Sequence, residues 1–135
     1  MVVIFSEAYL SRLWCTYELA TFCKLMRDNP SSGRKIVFLS LSWGAWYNPL
    51  NVVRAPTLST TEHALLANYS CSAAQVYSRR DKARVLGLIR EAWGGEDVFD
   101  DFVHKELPEV LLEGKRSYFS QFKYALWASL MLLFG

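Results

Sequence analysis

Val2-Val-Ile-Phe-Ser-Glu-Ala-Tyr-Leu-Ser-Arg-Leu-Trp-Cys-Thr-Tyr-Glu-Leu-Ala20, with Lys35-Ile-Val-Phe-Leu-Ser-Leu-Ser-Trp43 beyond it, is the stretch on which the fold reading turns. Val2 to Phe5 is short, unbroken and rich in β-branched residues, the pattern of a strand buried on both faces. Ser11 to Arg27 reads as a helix. Cys15, Leu19, Phe22 and Met26 recur at i, i+4, i+7 and i+11 and form one apolar stripe. Asp28-Asn-Pro-Ser-Ser-Gly33 stops that helix with Pro, Gly and small polar residues. Lys35 to Trp43 reads as a second strand. Strand, helix and strand in this order predict a βαβ unit with parallel strands and a right-handed crossover. Two strands do not make a stable parallel sheet by themselves. The expectation is therefore a partial α/β domain, cut from a longer chain or completed by a partner.

Working outward, Gly44 to Thr61 reads as a loop broken by Pro49 and Pro56. Ser59 and Glu62 have capping-box spacing, which predicts a weaker helix from there to about Tyr77. A firmer helix follows Ser78, with Asp81 at the acidic capping position, Val85, Ile89 and Ala92 on one face, and Gly94-Gly95 at its end. Glu96 to Leu107 reads as a further helix with Phe99, Phe102, Val103 and Leu107 as its stripe, closed by Pro108. Tyr124 to Gly135 carries no charge. It reads as a truncated membrane helix over 118–135 or as a buried C-terminal helix, since a span needs about 20 apolar residues. Lys115, Arg116 and Lys123 flank or enter this run, and for a spanning helix they place the folded part in the cytoplasm. The expected division is 1–55 (partial α/β region), 56–115 (helical extension) and 116–135 (apolar helix).

The composition sets limits. The chain has 135 residues, 52% of them apolar and 15% aromatic, enough for the core of one domain. The net charge of +2 gives no indication of a nucleic-acid partner. Cys15, Cys23, Cys71, His63 and His104 lack zinc-ligand spacing, so no metal is expected. Three separate cysteines make no disulfide framework and point to a reducing, cytosolic setting.

Phe5-Ser6, Tyr9, Ser11-Arg12 and Trp14-Cys15-x-x-Glu18-Leu19 together resemble one segment of the Toll/interleukin-1 receptor (TIR) domain family. There a buried strand ends in Ser, a Tyr-containing turn and a Ser/Arg pair follow, and a helix opens with Trp-Cys-x-x-Glu-Leu. The spelling looks most like TIR-like segments in large membrane proteins of unicellular algae, and the match covers about the first third of the chain. The resemblance implies the third strand and third helix of a flavodoxin-like parallel sheet. It implies a signalling role through assembly with other TIR domains, or a degenerate fragment with no activity. Some members of the family hydrolyse NAD at the nicotinamide–ribose bond with the Glu of this motif, which carries a catalytic role onto Glu18 and makes NAD a substrate rather than a required cofactor. Loss of nicotinamide leaves positive charge on the ribose, and a carboxylate stabilises it.

The residues themselves leave alternatives open. The helical neighbours of Glu18 are Trp14, Cys15, Thr21 and Phe22, none basic, so it is either a site carboxylate or an exposed helix residue. Trp14 and Cys15 line a nucleotide pocket or pack. Ser6, at the end of a parallel strand, binds a ligand or caps a turn. Trp43, Trp46 and Tyr47 form an aromatic wall or pack in a loop. Arg79, Arg80, Lys82 and Arg84 gather at a helix start against the helix dipole, which fits a solvated face or an anionic partner. His104 has helical spacing from Asp100 and Asp101, read as a surface ion pair.

Overall fold

The computed structural model describes the backbone of residues 2–6, 8–32, 36–40 and 57–134. The elements are β1 (Val2–Phe5), α1 (Leu13–Asp28), a 3-10 turn (Pro30–Ser32), β2 (Val37–Ser40), α2 (Thr60–Ala67), α3 (Arg79–Trp93), α4 (Glu96–Lys105) and α5 (Leu107–Phe134). β1 and β2 pair in parallel, from Val2 opposite Val37 to Phe5 opposite Ser40. Lys35 and Leu41–Trp43, the two ends of the expected second strand, and residues 44–56 of the expected Gly44–Thr61 loop lie outside the described residues.

The expected flavodoxin-like α/β sheet is overturned: the chain is predominantly helical. Two strands of four residues cannot bury two faces, and no third strand joins them among the described residues. The core is built by helices packing on helices. α1 packs against α3 and α5, α4 against α3 and α5, α2 against α4 and α5, and β2 against α5. Leu13, Leu19, Ala20, Val85, Ile89, Phe99, Val103, Leu107 and Leu111 are buried where these helices meet. Phe99 is the aromatic hub. Its ring meets Trp93 at 5.1 Å and Tyr69 at 6.2 Å edge-on and Tyr17 at 6.4 Å with the rings tilted by 39°, and the edge contacts add to its burial.

α1 is rolled away from the expected stripe. Leu13, Thr16, Leu19, Ala20 and Cys23 are buried, while Cys15, Phe22 and Met26 are only half-buried. Thr16 tolerates full burial because its hydroxyl donates toward the carbonyls of Leu10 (3.2 Å) and Arg12 (3.1 Å). α2 has both arms of its capping box: Ser59 Oγ accepts from the Glu62 N–H at 3.1 Å, and the Glu62 carboxylate accepts from the Ser59 N–H at 2.7 Å. It ends at Ala67, ten residues short of the expected limit. α3 opens on the Ser78 cap and closes at Gly94, whose φ of 85° lies in the left-handed region that favours glycine. Trp93, not Ala92, completes its buried face. Pro108 does not close a helix as expected. It sits in the first turn of α5, where its missing N–H breaks no helical bond.

α5 is 28 residues long and runs through the expected boundary between 115 and 116. No helix among the described residues is long and apolar enough to cross a membrane. This corrects the expected transmembrane helix over 118–135. The first half of α5 carries Glu109, Glu113, Lys115 and Arg116. Its uncharged part, Tyr124 to Phe134, rises only about 16 Å at ~1.5 Å per residue, roughly half of a ~30 Å hydrocarbon core.

Candidate functional site

The motif residues cluster around the turn that leads from β1 into α1. The Ser6 carbonyl accepts from the Tyr9 N–H at 2.9 Å, the Tyr9 carbonyl from the Arg12 N–H at 3.2 Å, and Ser11 Oγ donates to the Ala8 carbonyl at 2.8 Å. Two backbone bonds pin this turn to a distant segment. Gln75 N–H donates to the Ser11 carbonyl at 2.9 Å, and Leu13 N–H to the Gln75 carbonyl at 3.0 Å. α1 therefore starts from a fixed point without a side-chain cap.

Trp14, Cys15 and Glu18 occupy the first turns of α1. Trp14 is half-buried and meets Tyr17 edge-on at 6.2 Å, which makes it part of the packing. Cys15 is half-buried. Burial pushes its thiol up, the Arg12 charge pulls it back and Glu18 pushes it up again, so the net effect opposes a reactive thiolate. The Tyr9 phenol is pushed up to about 12, first by burial and then by Cys15, Glu18 and Cys23. Tyr9, Cys15 and Glu18 thus share one electrostatic neighbourhood. Glu18 is exposed and makes no ion pair among the described residues. Ser6 is exposed, and no described contact joins it to Trp14, Cys15 or Glu18. Trp43, Trp46 and Tyr47 lie outside the described residues.

A shallow groove of about 250 Å³ opens elsewhere, between α1, the end of α3 and α4. Lys24 Nζ sits 4.5 Å above the Trp93 ring and donates to the Ala92 carbonyl at 3.2 Å. Arg27 lies over Phe102 at 5.7 Å and pairs with Glu106, and Lys105 pairs with Asp101 at 2.7 Å. The arginine and Lys105 are neutralised within the groove, which staples α1 to α4 and leaves no concentrated charge for a ligand. Lys24 and Arg27 lie in the C-terminal half of α1, a placement that suits the helix dipole.

Four polar residues, Lys115, His104, Asp100 and Asp101, take roles the sequence did not indicate. Lys115, expected as a membrane flank, instead reaches Glu62 with its ammonium at 2.7 and 2.6 Å from the two carboxylate oxygens. The side chains are 22% and 7% exposed, so this is a largely desolvated pair that clamps α2 to α5. His104, expected as an ion-pair member, places Nε2 2.8 Å from the Tyr69 carbonyl. Asp100 accepts from the Cys71 N–H at 2.9 Å, and Asp101 pairs with Lys105. Residues 53 and 35 positions apart carry no local signal of meeting.

Among the described residues, no group of three or more His, Cys, Asp or Glu side chains is placed to hold a metal ion. All three cysteines are free, and Cys23 and Cys71 are buried. No family model matches the chain, and neither a curated protein nor a solved structure matches it.

Proposed function

We propose that the chain is an assembly module of signal transduction, pairing through the end of α5 with another copy or with a module carrying the same Trp14-to-Leu19 motif. One observation carries this reading. Tyr124, Ala128, Met131 and Leu132 recur at i, i+4, i+7 and i+8 along α5, and all four are exposed, Leu132 by 87%. That spacing lines one face of a helix and is the seam along which helices pair. A group of large apolar side chains held in water marks an interaction surface. The resemblance of the Phe5-to-Leu19 segment to TIR domains supports the kind of partner. The free cysteines support a reducing, cytoplasmic setting. Sedimentation velocity over a concentration series tests the reading. The wild type is expected to associate, and Leu132→Glu to remain at 15.5 kDa with an unchanged circular dichroism spectrum. Equal association of both proteins contradicts it.

A second reading, NAD hydrolysis, is favoured by the Tyr9–Cys15–Glu18 neighbourhood and by a Glu18 with no basic neighbour on its own helix. Its test is nicotinamide release from NAD by the wild type and by Glu18→Ala. Release that disappears in the variant supports it, and no release from the folded, associated wild type removes it.

A further inference from the structure

The start of α3 holds charges that no described residue compensates. Arg79, Arg80 and Arg84 are exposed and Lys82 is half-buried. None of the four has an ion pair or side-chain hydrogen bond among the described residues. The one carboxylate in the 77–84 stretch is already engaged. Asp81 accepts from the Ser78 hydroxyl at 2.8 Å, while its N–H donates to the same oxygen at 3.1 Å. Arg80 and Arg84 stand at i and i+4 on the face opposite the buried Val85 and Ile89, where like charges repel. All four cations also lie in the first turns, against the helix dipole. The chain as a whole carries only +2, so the concentration is local.

Tyr77 stands beside them. It is 101% exposed, with no part of its ring covered by the protein. An amphipathic, exposed ring next to arginines is the composition of a membrane–water interface. The segment is held in place, because the Arg12–Gln75 bridge and the Ser78 cap fix the chain on either side of Val76 and Tyr77.

We propose that the Tyr77-to-Arg84 face docks peripherally on an anionic lipid surface. Arg80 and Arg84 meet the headgroup charge, with Arg79 at the edge of their face, and Tyr77 lies at headgroup level; Lys82, three residues before the buried Val85, lies on the other side of the helix. Charge complementarity selects this occupant: a cation face with no counter-charge among the described residues, flanked by an exposed Tyr77, suits a diffuse anionic surface. A nucleic-acid strand is the competing occupant, and the test separates the two. The inference is independent of the α5 seam.

The experiment is co-sedimentation of the full chain with phosphatidylcholine vesicles, with and without phosphatidylserine. Binding is expected only with phosphatidylserine and is expected to fade as salt shortens the Debye length. Arg80→Ala/Arg84→Ala is expected to weaken it about 25-fold, since each basic residue at such a surface contributes roughly fivefold. Removing two repelling charges leaves the fold intact, which a melting curve checks. Tyr77→Ala is expected to weaken binding with no change in salt dependence. Equal binding to neutral vesicles overturns the proposal. So does binding that survives the double arginine variant and is lost in Leu132→Glu, or tighter binding to a mixed-sequence oligonucleotide than to the vesicles. No vesicle binding by the folded wild type overturns it as well.

Discussion

Replacing Lys115 with Met removes one partner of a desolvated ion pair and leaves the Glu62 carboxylate almost wholly buried. Stranding a buried charge costs about 3–5 kcal/mol. Lys115 is a fifth exposed, so water already reaches its ammonium and the loss belongs at the lower end, about 3 kcal/mol. Glu62→Gln keeps an oxygen that can accept from the Ser59 N–H but removes the charge, for about 2 kcal/mol. The double variant Glu62→Gln/Lys115→Met has no charge left to strand. It is expected to cost less than the two single changes together by about 2 kcal/mol. Urea unfolding followed by circular dichroism measures all four proteins, with unchanged m-values as the check that the denatured states are comparable. Losses that add to within about 0.5 kcal/mol refute the reasoning, because they mean the two residues act independently.

Three other outcomes follow from the same structure. Ser59→Ala removes one arm of the α2 capping box and is expected to cost about 1 kcal/mol by thermal unfolding. Gly94→Ala forces a Cβ into a left-handed conformation with no atom within 4 Å to clash, so the loss of about 1–2 kcal/mol is purely conformational. Replacement by Asn is expected to recover part of it. The Cys23 and Cys71 thiols are pushed from 9.0 up to about 12, chiefly by burial. The folded state keeps protons that the unfolded state releases, so this stability is complete below pH 9.0 and is lost as pH rises toward about 12. The urea midpoint should fall across that window and fall less steeply in Cys23→Ala/Cys71→Ala; a flat midpoint contradicts it.

Local signals were the legible part of this chain. Ser59 with Glu62, Ser78 with Asp81, and Gly94 each announce a helix end through chemistry confined to one turn, and each is found where that chemistry places it. The pairing of Val2–Phe5 with Val37–Ser40 is likewise parallel. The architecture was not legible, because a βαβ pattern describes a connection and not the layers around it. Here the remaining helices supply the core that further strands supply in an α/β sheet. The roll of α1 was hidden because Thr16 counts as polar in any pattern, and only the carbonyls of Leu10 and Arg12 make its burial tolerable. Pro108 satisfies the rule for a helix stop and the rule for a helix start equally, and the sequence offers no means of choosing. At the candidate site, the motif places Trp14, Cys15 and Glu18 on one helix. The exposure of Glu18 depends on how α1 rolls against α3 and α5, which is a tertiary property.

Amide hydrogen exchange measured against protein concentration tests the proposed pairing through the exposed seam of α5 most directly. Protection of residues 124–134 should rise with concentration in the wild type, in step with the association seen by sedimentation, and stay flat in Leu132→Glu. Association accompanied by no gain of protection in that segment contradicts that pairing.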